Sequence, residues 1–135
     1  MPIIDADTHV TECDDTFAYL EPDELRYLPA KGELEGPDGG PGRPYWLING
    51  LPRMRSRWTE GDVWKTMGQL LDVPARVKAM DDMGVTTQIL YPTMFAAGGI
   101  DAPDVEFALT RSYNRWLADR TAQSNGRIRW VMLPA

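Results

Sequence analysis

Asp5, Asp7 and His9 occupy every second position of IIDADTHVTE, residues 3–12, and His9 is the one histidine in the chain. Side chains alternate across an extended strand. The spacing therefore predicts Ile3, Asp5, Asp7 and His9 on one face. Ile4, Ala6, Thr8 and Val10 fall on the other, apolar face, suited to packing against helices. Two residues along a strand are separated by roughly 7 Å at Cα, so a carboxylate and an imidazole at that spacing can converge on one ion. Carboxylate oxygen with imidazole nitrogen suits Zn²⁺ first, with Mn²⁺ and Fe²⁺ as the other candidates. Such an ion brings the pKa of a bound water to about 7, or polarises a substrate oxygen. Asp7 and His9 are the candidate metal ligands. The polar groups lie toward the C-terminal end of the strand, where parallel α/β proteins bind ligands.

A second chemistry competes for the same residues. IIDADT also resembles the D-x-D nucleophile motif of haloacid-dehalogenase-like phosphatases, with Asp5 attacking phosphorus and Asp7 acting as acid and base. Only Ile3 and Ile4 stand as clear apolar residues before the first Asp, where that motif has four. His9 stands where it has Thr or Val.

The elements that must position these side chains alternate in type. Residues 2–10 read as a strand. In LDVPARVKAMDDMGVTTQILYP, Asp72 is placed to cap a helix and Pro74 suits its first turn. Val73, Val77 and Met80 recur at helical spacing, and Gly84 suits the position just past the end. Residues 85–91 then read as a strand, apolar enough to be covered by helices on both faces. Asp101 and Pro103 open a second helix. Val105, Leu109, Ser112, Tyr113, Trp116 and Arg120 track along one face, with Ala108 beside it. Asn125-Gly126 ends it, and RIRWVML, 127–133, is a third strand. Strands alternating with helices predict parallel βαβ units and an α/β fold.

Residues 12–72 read as a long irregular insertion. GPDGGPGRP, 36–44, must be a loop. Asn49-Gly50 suits a type I′ turn joining strands at 45–48 and 51–54, with Pro52 putting the second strand at an edge. Loops this long inside compact domains are commonly functional lids.

Composition excludes several classes. With 20 Asp and Glu against 14 Lys and Arg, the net charge of −6 gives no basic patch for nucleic acid or an anionic membrane surface. No apolar run approaches the roughly 20 residues of a membrane span, and the N-terminus lacks the pattern of a secretory signal. One cysteine, Cys13, cannot make an internal disulfide. The expectation is a soluble cytoplasmic protein.

IIDADTHVTE, RVKAMDDMGVTTQILYPT and YNRWLADRTAQSNGRIRWVMLPA, in that order, resemble the amidohydrolase-related metal-dependent hydrolases. The branch is that of aminocarboxymuconate-semialdehyde decarboxylase and the benzoate-type decarboxylases, and YWLINGLPR resembles an insertion found after the first strand in some members. The resemblance implies a TIM barrel with a divalent metal at the C-terminal ends of its strands. It implies non-oxidative decarboxylation or hydrolysis of a small carboxylated substrate. By position it makes Asp7 and His9 the metal ligands and Glu12 an assisting acid; it assigns no general acid or base. Many members have His or Glu where Asp7 stands.

A whole barrel takes about 250 residues and eight strands, and the family draws a further His and Asp from later strands. Catalytic zinc usually has three protein ligands. Residues 1–135 therefore read as a single incomplete barrel domain with three barrel-type strands: 1–11 carry the first strand and metal motif, 12–72 the insertion or lid, and 73–135 a helix-strand-helix-strand run. Such a piece is expected to be inactive alone. It would need a complementing chain or its own copies, unless it is a truncated reading frame, the account favoured here. A non-catalytic fragment or interaction module is the remaining alternative.

Other residues invite weaker readings. Trp46, Trp58 and Trp64 could line a lid or simply anchor the insertion by burial. Arg53, Arg55 and Arg57 could share a face that binds a carboxylate. Thr93 and Met94, after the second barrel-type strand, are candidates for substrate contact. Tyr113 and Trp116 read as helix–sheet packing, Asp81 and Asp82 as a solvated helix end, and Cys13 as a buried thiol.

Overall fold

The computed structural model describes residues 1–40, 42–55 and 63–134. In chain order the described residues form β1 (Ile4–Val10), β2 (Ala30–Leu34), β3 (Arg43–Ile48), β4 (Leu51–Met54), α1 (Val63–Gly68), α2 (Val73–Asp82), β5 (Thr87–Pro92), α3 (Pro103–Ala122) and β6 (Ile128–Trp130). Short 3₁₀ turns connect several of them. β1, β5 and β6 make a parallel sheet with β5 in the centre. β2, β3 and β4 make a separate antiparallel sheet with β3 in the centre. The β-α-β-α-β order read from the sequence is present.

Local chemistry explains the ends of α2. The Asp72 carboxylate accepts from the Ala75 N–H at 2.8 Å, satisfying one of the free donors of the first turn. At the other end Gly84 has φ +72°. Its N–H reaches the Asp81 carbonyl, and the Val85 N–H reaches that of Met80 at 2.8 Å. These are the two bonds of a Schellman motif. A Cβ on Gly84 would meet nothing within 4 Å. Gly84→Ala is therefore expected to cost about 1 kcal/mol through backbone conformation alone, read as a lower urea midpoint at unchanged slope.

α3 supplies most of the core. Ala108, Leu109, Tyr113, Trp116 and Leu117 are all fully buried, on the face that the sequence periodicity marks. It starts at Pro103, as the sequence suggests, with Ala102 as the N-cap. Glu106 reaches back to the segment ahead of the helix, accepting from the Ile100 N–H at 3.1 Å.

Two expectations are corrected. First, helices cover one face of the parallel sheet, not both. Val10, Leu90 and Ile128 share a core with residues of α2 and α3. Along β5, Gln88, Leu90 and Pro92 are buried, while Ile89 is only partly covered and Tyr91 is exposed. The apolar run thus has one face under helices and one face open.

Second, the insertion is not irregular. It contains the antiparallel sheet and α1. Asn49 (φ 48°) and Gly50 (φ 78°) form the expected turn between Ile48 and Leu51, and β4, with Pro52, is an edge strand. Trp46 and Ile48 bury into a second core with Phe17, Met94, Val105 and Leu109. Along α3, Arg115 pairs with Glu21 at 2.7 Å, Arg120 with Asp15 at 2.5 Å, and Arg111 with Glu24. The insertion is therefore clamped to α3 by both apolar packing and charge.

Candidate active site

The open face of the parallel sheet carries Asp7 and His9. Asp7 and His9 are exposed near the C-terminal end of β1 and line one cleft of about 540 Å³ with Tyr91, Pro92, Phe95 and Leu133. The structure therefore brings the two candidate ligands to one concavity, at the ends of β1, β5 and the segment after β6. Tyr91, opposite His9 in register with ring centroids 6.2 Å apart, also belongs to this cleft.

His9 is oriented by a backbone bond. Its Nδ1 lies 2.9 Å from the Pro92 carbonyl oxygen. A carbonyl only accepts, so Nδ1 carries the proton. In the neutral ring the lone pair is then on Nε2, and Nε2 is the nitrogen available to a ligand.

The strict alternation expected of β1 fails at Asp5. Asp5 pairs with Gln88 and Thr8 with Leu90, so three steps along β1 match two along β5. The extra residue sets Asp5 on the α2 side of the sheet, apart from the Asp7 cleft, while His9 borders the clefts on both sides. Its carboxylate accepts from the Gln88 amide at 3.0 Å, and from the Asp7 N–H at 3.2 Å. Gln88 in turn accepts from Arg76 Nε at 3.0 Å. Arg76, only 7% exposed, also donates to the carbonyl of Met67 and the hydroxyl of Thr8. Burial pushes its guanidinium down to about 10, with the Asp5 charge acting the other way, so it stays charged at neutral pH. This network sits on the α2 side of the sheet, bordering a second cleft of about 330 Å³. Ile4 and Ala6, expected to pack, are exposed for the same reason.

Glu12, the assisting acid of the resemblance, lies in the interior. It is 2% exposed. Its carboxylate accepts from the backbone N–H of Thr93 at 3.0 Å and of Met94 at 2.8 Å. Burial pushes its pKa up, while the Met94 and Thr93 N–H groups pull it down. Burial first, and then the Glu12 charge, hold the Tyr113 phenol well above its ordinary range. The Tyr113 hydroxyl and the Trp116 indole N–H have no hydrogen-bond partner among the described residues.

The other sequence candidates separate. Met94 is buried in the second core and Trp46 anchors the insertion, its ring edge-on to Phe17. Thr93 donates its hydroxyl to the Val10 carbonyl at 2.7 Å, tying the ends of β1 and β5. Arg53 donates to the carbonyls of Ala97 and Gly99, and Arg55 lies over the Trp46 ring. Arg57 and Trp58 lie outside the described residues. Trp64 is exposed and borders the cleft on the α2 side. Cys13 is buried, and Asp81 and Asp82 are exposed and paired with Arg127 and Lys78. Among the described residues no three His, Cys, Asp or Glu side chains gather at one point, and no helix is long and apolar enough to cross a membrane.

Comparison with known proteins places this geometry in a fold. No protein-family description matches the chain, and no curated protein matches it. Among solved structures, it superposes on a crystal structure of an amidohydrolase from Mycobacterium avium subsp. paratuberculosis K-10 with a TM-score of 0.65 and 18% identity. The match covers 97% of this chain and 42% of that one, so the chain spans about two fifths of the amidohydrolase's length. The chain therefore has a mixed α/β fold shared with the matched part of that structure.

Proposed function

We propose that this chain carries the first-strand portion of a metal-dependent hydrolase or non-oxidative decarboxylase of the amidohydrolase type, acting on a small carboxylated substrate. In this reading the parallel strands are the first three of a (β/α)₈ barrel. The open face with Asp7, His9, Ile89 and Tyr91 is the barrel interior.

The observation that carries the reading is the His9 ring. Its Nδ1 is held by the Pro92 carbonyl, its Nε2 is left for a ligand, and the residue lines the same cleft as Asp7. A metal-binding histidine commonly has its second nitrogen tied in this way. The donor set, one imidazole nitrogen and one carboxylate oxygen, fits a divalent transition metal, zinc ahead of manganese or iron. Asp7 and His9 would hold the ion, and further ligands would come from later strands of the barrel. When bound, the ion would supply hydroxide at neutral pH or polarise a substrate oxygen. His9 and Asp7 would orient it, and Tyr91 and Phe95 would wall the substrate side. The partner in this reading is a complementing chain or a second copy, and the compartment is the cytoplasm.

Asp7→Asn tests it. Protein purified without chelator is expected to carry less divalent metal by elemental analysis once the carboxylate becomes an amide. Unchanged metal content would overturn the assignment. The phosphatase reading gains no support, because Asp5 is engaged by Gln88 on the opposite side of the sheet from the Asp7 cleft.

A further inference from the structure

We infer that Glu12 is a positioning residue: it fixes the orientation and tautomer of His9 through the single peptide group that joins Pro92 to Thr93. The claim adds to the proposed function, whose metal it presupposes only for its purpose and not for its test.

The geometry runs through one rigid unit. The Pro92 carbonyl accepts from His9 Nδ1 at 2.9 Å. The N–H of the same peptide, belonging to Thr93, donates to Glu12 at 3.0 Å. A trans peptide is planar, with C=O and N–H pointing to opposite sides. Holding the N–H therefore holds the carbonyl, and the carbonyl holds the imidazole. A second bond, from the Met94 N–H at 2.8 Å, stops the carboxylate from swinging about the first. The Thr93 hydroxyl bonded to Val10 fixes the same corner from the β1 side.

Electrostatics work in the same direction. A carboxylate on the N–H side polarises the peptide and strengthens its carbonyl as an acceptor. The stronger acceptor favours the tautomer with the proton on Nδ1, which is the form that exposes the Nε2 lone pair. Glu12 is shielded from water, so its effect is not screened as a surface charge would be. Metal sites elsewhere place a carboxylate directly on the second histidine nitrogen; here a backbone peptide stands between the two. A buried acid three residues from His9 in sequence thereby acts on His9 by way of another strand.

The one histidine makes the test clean, because a single imidazole gives a single set of ¹⁵N signals. In metal-free protein at a pH where His9 is neutral, the Nδ1–H form is expected to dominate. Glu12→Gln keeps the shape but removes the charge and turns a donor toward a donor. It is expected to shift the ring toward the mixture of an unrestrained imidazole. Thr93 amide exchange should quicken by about 10- to 100-fold, as loss of a charge-assisted bond implies. Glu12→Asp, which keeps the charge on a shorter stem, is expected to fall between the two.

Faster Thr93 exchange with an unchanged His9 tautomer would mean that Glu12 merely pins the loop, and would overturn the inference. So would an Nε2–H ring in the unmutated protein, a result that needs no variant to fold. The first outcome leaves the metal reading untouched; the second also removes the ring orientation that supports it, and ion uptake by Asp7 and His9 then decides that reading separately.

Discussion

Arg76→Met is expected to cost the fold about 1.5–3 kcal/mol, the range for losing a buried hydrogen bond made by a charged group. The guanidinium is 7% exposed and joins four places: Gln88 on β5, Met67 in α1, and Thr8 and His9 on β1. Methionine replaces the stem and none of the donors. The Gln88 amide oxygen is left unpaired, at about 1–3 kcal/mol, while the Met67 carbonyl keeps its bond from the Leu70 N–H at 3.2 Å. Relief from burying a charge offsets part of this. Adding Gln88→Leu removes one stranded acceptor, so the double variant is expected to regain stability relative to Arg76→Met alone. Urea unfolding of the three proteins checks it; strictly additive losses would show that the two side chains are not coupled.

His9→Ala is expected to have the largest effect on ion binding. It removes one of the two ligand-type side chains in the open cleft. Losing only an outer partner of a metal ligand costs up to about 100-fold in affinity, and loss of the ligand itself is expected to cost at least as much. The substitution should leave stability nearly unchanged, because His9 is exposed and the bond lost is its own to the Pro92 carbonyl. Binding lost at constant stability separates this prediction from that for Arg76.

The residues that mark element ends could be read directly. Asp72, Pro74 and Gly84 bracket α2, and Asn49-Gly50 makes its turn, because each choice answers a local backbone demand. The stripe from Val105 to Trp116 identified the buried face of α3 by period alone.

The extra residue in β1 left no such mark. Its sequence alternates without a break, and the slip arises because Asp5 and Thr8 both serve the Arg76–Gln88 network on the helix side. A signal for that network did exist. Gln88 interrupts an otherwise apolar or β-branched run, and Arg76 sits on the face marked by Val73, Val77 and Met80. A glutamine and an arginine both aimed at the core imply each other. β2, with the sequence AKGEL, has no apolar alternation to announce it and owes its existence to pairing with β3. Glu12 shows no local sign of its burial because the N–H groups that hold it lie more than 80 residues away.

The central claim is that a cation binds between Asp7 and the Nε2 of His9. Titration of metal-free protein with Mn²⁺, followed by NMR, tests it most directly, because the paramagnetic ion broadens only nearby signals. The account predicts saturable broadening centred on the His9 ring and Asp7, and its loss in His9→Ala. Broadening centred on other acidic positions such as Asp14 and Asp15 or Asp81 and Asp82, or broadening undiminished in His9→Ala, would contradict it.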